Sequence, residues 1–117
     1  MPVYGDGRTR RDYTYVDDVV DGIAAALPIT RGLNTVNLGG SQPVALSGLI
    51  EEIARACGRK PEILGLPPQP GDVEVTCADI RRARQLLGYQ PRVSLAEGVG
   101  RFVAWYRSSA AEATAAR

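Results

Sequence analysis

The sequence contains no histidine, one lysine (Lys60), one tryptophan, one phenylalanine and two cysteines among its 117 residues. Without histidine there is no Ser-His-Asp triad and no Cys-His pair. Neither Cys57 nor Cys77 has a second cysteine at metal-ligand spacing, so no metal site is expected. Both cysteines read as small buried hydrophobes, Cys57 closing a helix and Cys77 following a strand, with no disulfide needed. An excess of one charge is lacking too. With 14 Lys+Arg against 13 Asp+Glu the net charge is +1, which gives no global attraction to nucleic acid or to an anionic membrane. Any anion site must be local. No apolar run approaches the ~20 residues of a membrane span, and Met1-Pro2-Val3 does not open a charged-then-apolar leader, so a cytoplasmic protein is expected.

What is present suits one small domain: 44% of the residues are hydrophobic, though a chain of this size has little stability margin. Val16, Val19, Val20, Ile23, Ala24 and Leu27 recur at helical spacing, with Asp17, Asp18 and Asp21 on the other face and in the first turn, where they complement the helix dipole. Pro28 stops this helix. Leu33 to Leu38 is a short β-branched run between Gly32 and Gly39-Gly40 and predicts a buried strand. A second helix, about Leu46 to Cys57, presents Leu46, Leu49, Ile50, Ile53 and Ala54 on one face, pairs Glu51 with Arg55, and closes on Gly58. Pro61 to Leu66 predicts a strand, and Pro67-Pro68-Gln69-Pro70-Gly71 a stiff loop that can be neither helix nor sheet. Asp79 is placed to cap a third helix through Leu87, ended by Gly88. Ser94-Leu95-Ala96-Glu97 is a capping box for a fourth helix carrying Leu95, Val99, Phe102, Val103 and Tyr106. Trp105 and Tyr106 read as core or interface anchors. Residues 108–117 form an alanine-rich tail that either continues the helix or frays.

The densest chemistry lies between Gly5 and Asp12. Three arginines within four positions, Arg8, Arg10 and Arg11, cannot all be buried, so at least one faces solvent or an anion. An arginine beside the strand-like Asp12-Tyr13-Thr14-Tyr15 is a plausible phosphate clamp. The competing reading is a solvated hairpin tip in which Arg11 pairs with Asp12 or a helix carboxylate. Gly5-Asp6-Gly7 is not a dinucleotide fingerprint, because no helix is expected to open at its third glycine position. Asp79, Arg81, Arg82 and Arg84 read as a helix cap followed by an exposed basic face, without the interleaved aromatics of a nucleic-acid site.

The run Tyr4-Gly5-Asp6-Gly7-Arg8-Thr9-Arg10-Arg11-Asp12-Tyr13-Thr14-Tyr15-Val16-Asp17-Asp18 resembles the Tyr-Gly-x-Gly-x-x-x-Arg-Asp-(Phe/Tyr)-x-x-Val-x-Asp segment of the extended short-chain dehydrogenase/reductases, the NAD-dependent epimerase/dehydratase family. Asn37-Leu38-Gly39, Pro70-Gly71-Asp72-Val73, Ala78-Asp79, Leu87-Gly88-Tyr89-Gln90-Pro91 and Leu95-Ala96-Glu97-Gly98 continue the likeness in family order. It covers Val3 to about Arg107 and implies the C-terminal, substrate-binding part of such an enzyme, similar above all to UDP-glucuronate and UDP-glucose 4-epimerases. The fold so implied is α/β, with helices packed on a few short strands of an extended Rossmann-type enzyme, lacking the dinucleotide-binding fold itself. Residues 1–107 form the UDP-sugar-binding region and 108–117 the tail.

The resemblance also implies roles. Arg11 corresponds to an arginine that contacts the diphosphate of a UDP-sugar, and Asp72 to an aspartate that binds the ribose. Gln69 stands near where UDP-glucose 4-epimerases place a second phosphate-binding arginine, and it brings no charge. Gln69 and Tyr13 are the remaining substrate-binding candidates, and the Arg-Asp-Tyr-Thr-Tyr-Val-Asp-Asp segment leans toward the glucuronate enzymes. NAD is the cofactor of the parent family, but no cofactor is expected for this chain alone. The glycine-rich loop is absent, and Lys60 has Ala56 rather than tyrosine four residues before it, so no catalytic residue is assigned. The expected partners are a UDP-sugar and either a missing N-terminal dinucleotide-binding domain or a second copy, giving at least a dimer. An autonomous nucleotide-sugar-binding module and an oligomerisation piece are the alternatives.

Overall fold

A computed structural model describes residues 1–29 and 31–115. The order of elements is β1 (Pro2–Tyr4), β2 (Arg10–Arg11), α1 (Val16–Ala26), β3 (Val44–Ala45), α2 (Leu46–Cys57), β4 (Leu64–Leu66), α3 (Arg81–Leu87) and α4 (Leu95–Ala115). β1 and β4 pair in parallel with Val3 opposite Gly65, and β2 and β3 pair antiparallel with Arg11 opposite Val44. On its other side β2 is bridged by Val75: the Arg10 N–H donates to the Glu74 carbonyl at 2.7 Å, and the Thr76 N–H to the Arg10 carbonyl at 3.0 Å. Mixed α/β architecture is thus confirmed.

The helices run close to where periodicity places them, but Asp79 is not the cap of α3: Ile80 occupies that position, and Asp79, one residue earlier, accepts the Arg81 N–H at 3.1 Å and pairs with its guanidinium at 2.6 Å. α2 and α3 end on Gly58 and Gly88, both left-handed, each donating its N–H back to the last turn. The Ser94 hydroxyl accepts the Glu97 N–H at 3.3 Å, which is half of the capping box; the Glu97 carboxylate turns to Arg101 at 2.6 Å instead. The tail continues α4 as far as Ala115, and residues 116–117 lie outside the described residues.

The buried face of α1 departs from the sequence reading. In α1 the buried positions are Asp18 and Gly22, whereas Val16, Val20, Ile23 and Leu27 are exposed, Leu27 at 76%. A Cβ on Gly22 would stand 2.7 Å from Leu38 Cδ2, so the absence of a side chain lets α1 close on Leu38 and Tyr89. Asp18, only 5% exposed, is no surface carboxylate: it accepts the N–H groups of Arg92 at 2.9 Å and Val93 at 3.1 Å, tying α1 to the entry of α4. Beneath α1 and α3, Ile80, Ala83 and Tyr89 form the core, with Val36, Leu38, Ala78 and Leu87 against them.

Other expectations are corrected. Leu33 to Leu38 forms no strand among the described residues, and Leu33 is 94% exposed; a strand exists only with a neighbouring strand to ladder against. The Pro61 to Leu66 strand shrinks to its last three residues, the length that β1 can pair. Arg55 bonds Glu52 at 2.6 Å rather than Glu51, because the i,i+3 neighbour lies within equal reach on a helix. Cys77 is exposed and Cys57 half-buried, both free. Trp105 and Tyr106 are exposed; Trp105 touches Phe102, with ring centroids 5.6 Å apart, so neither anchors the core. α2 and α4 pack together, and the Arg107 guanidinium donates to the Cys57 carbonyl at 3.1 Å and the Ala56 carbonyl at 3.4 Å, where the α2 dipole favours a cation.

Candidate functional site

β1 runs into the Gly5-Asp6-Gly7 turn, which is fastened on both sides. The Gly5 N–H donates to the Leu66 carbonyl at 2.9 Å, while the carbonyls of Gly7 and Thr9 accept the N–H groups of Ser47 at 3.0 Å and Leu46 at 2.9 Å. The turn leads into β2 and not into a helix, so its backbone does not have the form of a dinucleotide-phosphate cradle.

From the parallel partner of β1 comes the proline loop. Its end is a β-turn in which the Asp72 N–H donates to the Gln69 carbonyl at 3.2 Å. Pro70 sits at the second position and Gly71 at the third with φ +84°, the type II arrangement that only glycine adopts without strain. This turn sets Asp72 against Arg11, whose Nη2 donates to Asp72 Oδ1 across a separation of 61 residues. Nη1 of the same guanidinium donates to the Arg10 carbonyl at 2.9 Å. The pairing of Arg11 with Asp12 or a helix carboxylate is not what forms.

A cavity of about 810 Å³ opens beside the turn, lined by Tyr4, Asp6, Arg8, Gln69, Asp72 and Glu74 among others. That volume is within the range of small-molecule sites. Arg8 is held at its rim by Asp6, Nε to Oδ2 at 2.5 Å, and the Arg8 N–H and side chain hold the Asp6 carboxyl below the usual carboxylate range. Of the predicted residues, Asp72 and Gln69 line this cavity, and Arg11 does not line it but pairs with Asp72. Tyr13 is elsewhere, in an apolar groove of about 640 Å³ between α2 and α4 with Tyr15, Leu49, Ile53 and Phe102.

Next to Arg11, Asp12 ties distant segments together, a role the sequence reading missed. Its carboxylate accepts the N–H groups of Ser41 at 2.9 Å, Gln42 at 3.2 Å and Ala78 at 3.0 Å, joining β2 to two distant loops. Ser41 is in the left-handed region at φ +56°, a conformation that this carboxylate helps to hold. Gly39 is required beside it, since a Cβ there would lie 2.8 Å from Asp12 Oδ2. The signal available in the sequence was the Gly39-Gly40 pair, small residues that admit a close polar neighbour. Among the described residues no cluster of His, Cys, Asp and Glu could hold a metal ion, and no helix is long and apolar enough to cross a membrane.

A family profile described as GDP-mannose 4,6-dehydratase matches residues 1–102. The chain is 38% identical over 110 residues to a UDP-glucuronate 4-epimerase of Thermodesulfobacterium geofontis, covering 93% of this chain and 34% of that protein. Among solved structures, the UDP-glucose 4-epimerase of Thermotoga maritima with UDP-glucose superposes with a TM-score of 0.83 at 34% identity, over 93% of this chain and 35% of that one. The UDP-glucuronic acid 4-epimerase of Bacillus cereus, in complex with UDP-glucuronic acid and NAD, superposes with a TM-score of 0.81 at 31% identity, over 92% and 35%. The chain therefore spans about a third of the length of the relatives it matches.

Proposed function

The chain belongs to the GDP-mannose 4,6-dehydratase family of NAD-dependent epimerases and dehydratases, and from that premise we propose that it is the nucleotide-sugar-binding part of a UDP-sugar epimerase. The observation that carries this reading is that Asp72 and Gln69 line one cavity and that Asp72 is paired there with Arg11, 61 residues away in the chain. Arg11 supplies the charge for a diphosphate. Asp72 accepts hydrogen bonds from vicinal ribose hydroxyls, held at its place by a proline-stiffened turn, and Gln69 offers an uncharged amide donor nearby. Tyr13, in the other groove, is given no contact with the nucleotide-sugar.

In the whole enzyme the nucleotide binding energy gathered here orients the sugar, while NAD, the cofactor in the Bacillus cereus relative's complex, supplies hydride transfer. The residues of this chain do not fit that cofactor: the Gly5-Asp6-Gly7 turn leads into β2 and not into a helix, and Lys60 lacks a tyrosine partner. The chain alone is accordingly read as non-catalytic. The exposed stripe Val16, Val20, Ile23 and Leu27, with the unladdered Leu33 to Leu38, supports a dinucleotide-binding domain as its natural cover, and self-association when that domain is missing. The two free thiols suit a reducing compartment, which supports a cytoplasmic location.

Titration calorimetry with UDP tests the reading. Arg11→Ala is expected to lose about 1.5–3 kcal/mol of binding, the worth of a charge-assisted contact, and Arg84→Ala to lose nothing measurable. Equal losses, or no binding of UDP to the unaltered chain, count against it.

A further inference from the structure

Arg11 and Asp72 satisfy one another before any ligand arrives, and that bears on how the cavity admits an anion. Asp72 lines the cavity and Arg11 does not, so of the paired groups it is the carboxylate that borders the space where a ligand sits. The charged groups lining that space are Asp6, Arg8, Asp72 and Glu74, three carboxylates against one guanidinium, and the guanidinium is already held by Asp6. As it stands the cavity repels a diphosphate. Its attraction for one depends on withdrawing Asp72 from Arg11.

Resting on the reading of this cavity as a nucleotide-sugar site, we propose that the Arg11–Asp72 pair is a latch opened by partner exchange. A phosphate oxygen replaces the Asp72 carboxylate on Arg11, and the carboxylate released turns to the ribose hydroxyls of the same molecule. The latch is suited to exchange without backbone movement. The Arg11 guanidinium keeps a second anchor on the Arg10 carbonyl at 2.9 Å, and Asp72, half exposed at the end of the Gln69–Asp72 turn, needs only a side-chain rotation. The consequence is selectivity by coincidence. Inorganic diphosphate frees Asp72 but leaves it unpaired, and uridine engages Asp72 but leaves Arg11 unpaired. Only a ligand carrying both groups at the right spacing satisfies both residues, because breaking one partner of a charge pair leaves the other uncompensated.

The test measures binding of inorganic diphosphate, uridine and UDP to the full chain and to Asp72→Asn, with circular dichroism confirming that the variant folds. Asp72→Asn is expected to bind inorganic diphosphate at least 5-fold more tightly than the unaltered chain, because Arg11 is no longer neutralised, and to bind uridine more weakly. The double variant Arg11→Gln/Asp72→Asn is expected to lose the gain for diphosphate. Diphosphate binding that is unchanged or weakened by Asp72→Asn, absent from both proteins, or enhanced equally in the double variant overturns the latch. If UDP fails to bind the unaltered chain while the diphosphate gain appears, Asp72 only screens Arg11 from anions, and both the exchange onto ribose and the nucleotide-sugar reading fall. UDP binding with no diphosphate gain leaves the nucleotide-sugar reading standing and removes the latch. Should Asp72→Asn fail to fold, Asp72→Ser carries the same comparison.

Discussion

The carboxylate of Asp12 accepts the backbone N–H of Ala78 at 3.0 Å, joining residues 66 positions apart. Two further N–H groups, of Ser41 and Gln42, converge on it, so one side chain ties three segments together. Asp12→Ala leaves these donors without their acceptor in a half-buried place, at a cost of about 2–3 kcal/mol. A fall of roughly 10 °C in the melting temperature is expected for a domain of this size. A shift below a few degrees in calorimetry would show that water replaces the carboxylate freely.

Gly39 borders the same carboxylate. Gly39→Ala drives a methyl group against Asp12 and Ala78, and overpacking of this kind costs about 1–3 kcal/mol. Gly65→Ala is the control, because a Cβ there meets nothing within 4 Å. Urea titration of both variants checks the difference; equal midpoints would contradict the close approach.

Tyr89 is 4% exposed and donates its hydroxyl to the Gly39 carbonyl at 3.1 Å. Burial first, then the carboxylates of Asp18 and Asp12, raise its pKa above the ordinary value of 10.0. The folded state therefore holds the phenolic proton more tightly than the unfolded chain. Its contribution to stability is fully present below pH 10 and is lost as pH rises through the higher folded-state value. Denaturation midpoints measured from about pH 8 to 11 are expected to fall at the alkaline end for the unaltered chain and to fall less for Tyr89→Phe. The substitution itself costs about 1 kcal/mol at neutral pH by removing the hydrogen bond. Parallel curves for the two proteins would rule out Tyr89 as the source.

Sedimentation over a range of concentrations examines the exposed α1 stripe. At least a dimer is expected, and Ile23→Glu, placed in the middle of the stripe, is expected to shift the distribution toward monomer. A monomer persisting at high concentration without binding an apolar dye would mean that the stripe is tolerated in water as it stands.

The helices were legible from the residues alone. Spacing of Leu46, Leu49, Ile50 and Ile53 with Gly58 behind them, or Gly88 after Leu87, reports a local preference that needs no distant partner, and α2 and α3 end where these glycines say. The stiff loop at Pro67 to Gly71 was legible for the same reason, since proline and glycine restrict or free the backbone wherever they stand.

Facing and pairing were not legible. Apolar periodicity shows that α1 has a hydrophobic stripe, but the tertiary structure buries Asp18 and Gly22 and leaves Val16, Val20, Ile23 and Leu27 outside. Leu33 to Leu38 has the composition of a strand, yet strand formation depends on a neighbour's hydrogen-bonding edge, which the described residues do not supply. The sequence by itself determined the local elements and, through its motifs, Arg11 and Asp72 as candidates. Only the tertiary structure decided that the two meet each other before any ligand and that Asp12 joins the loops at Ser41 and Ala78, because contacts across 61 and 66 residues are fixed by how the whole chain packs and not by the conformational preference of any one segment.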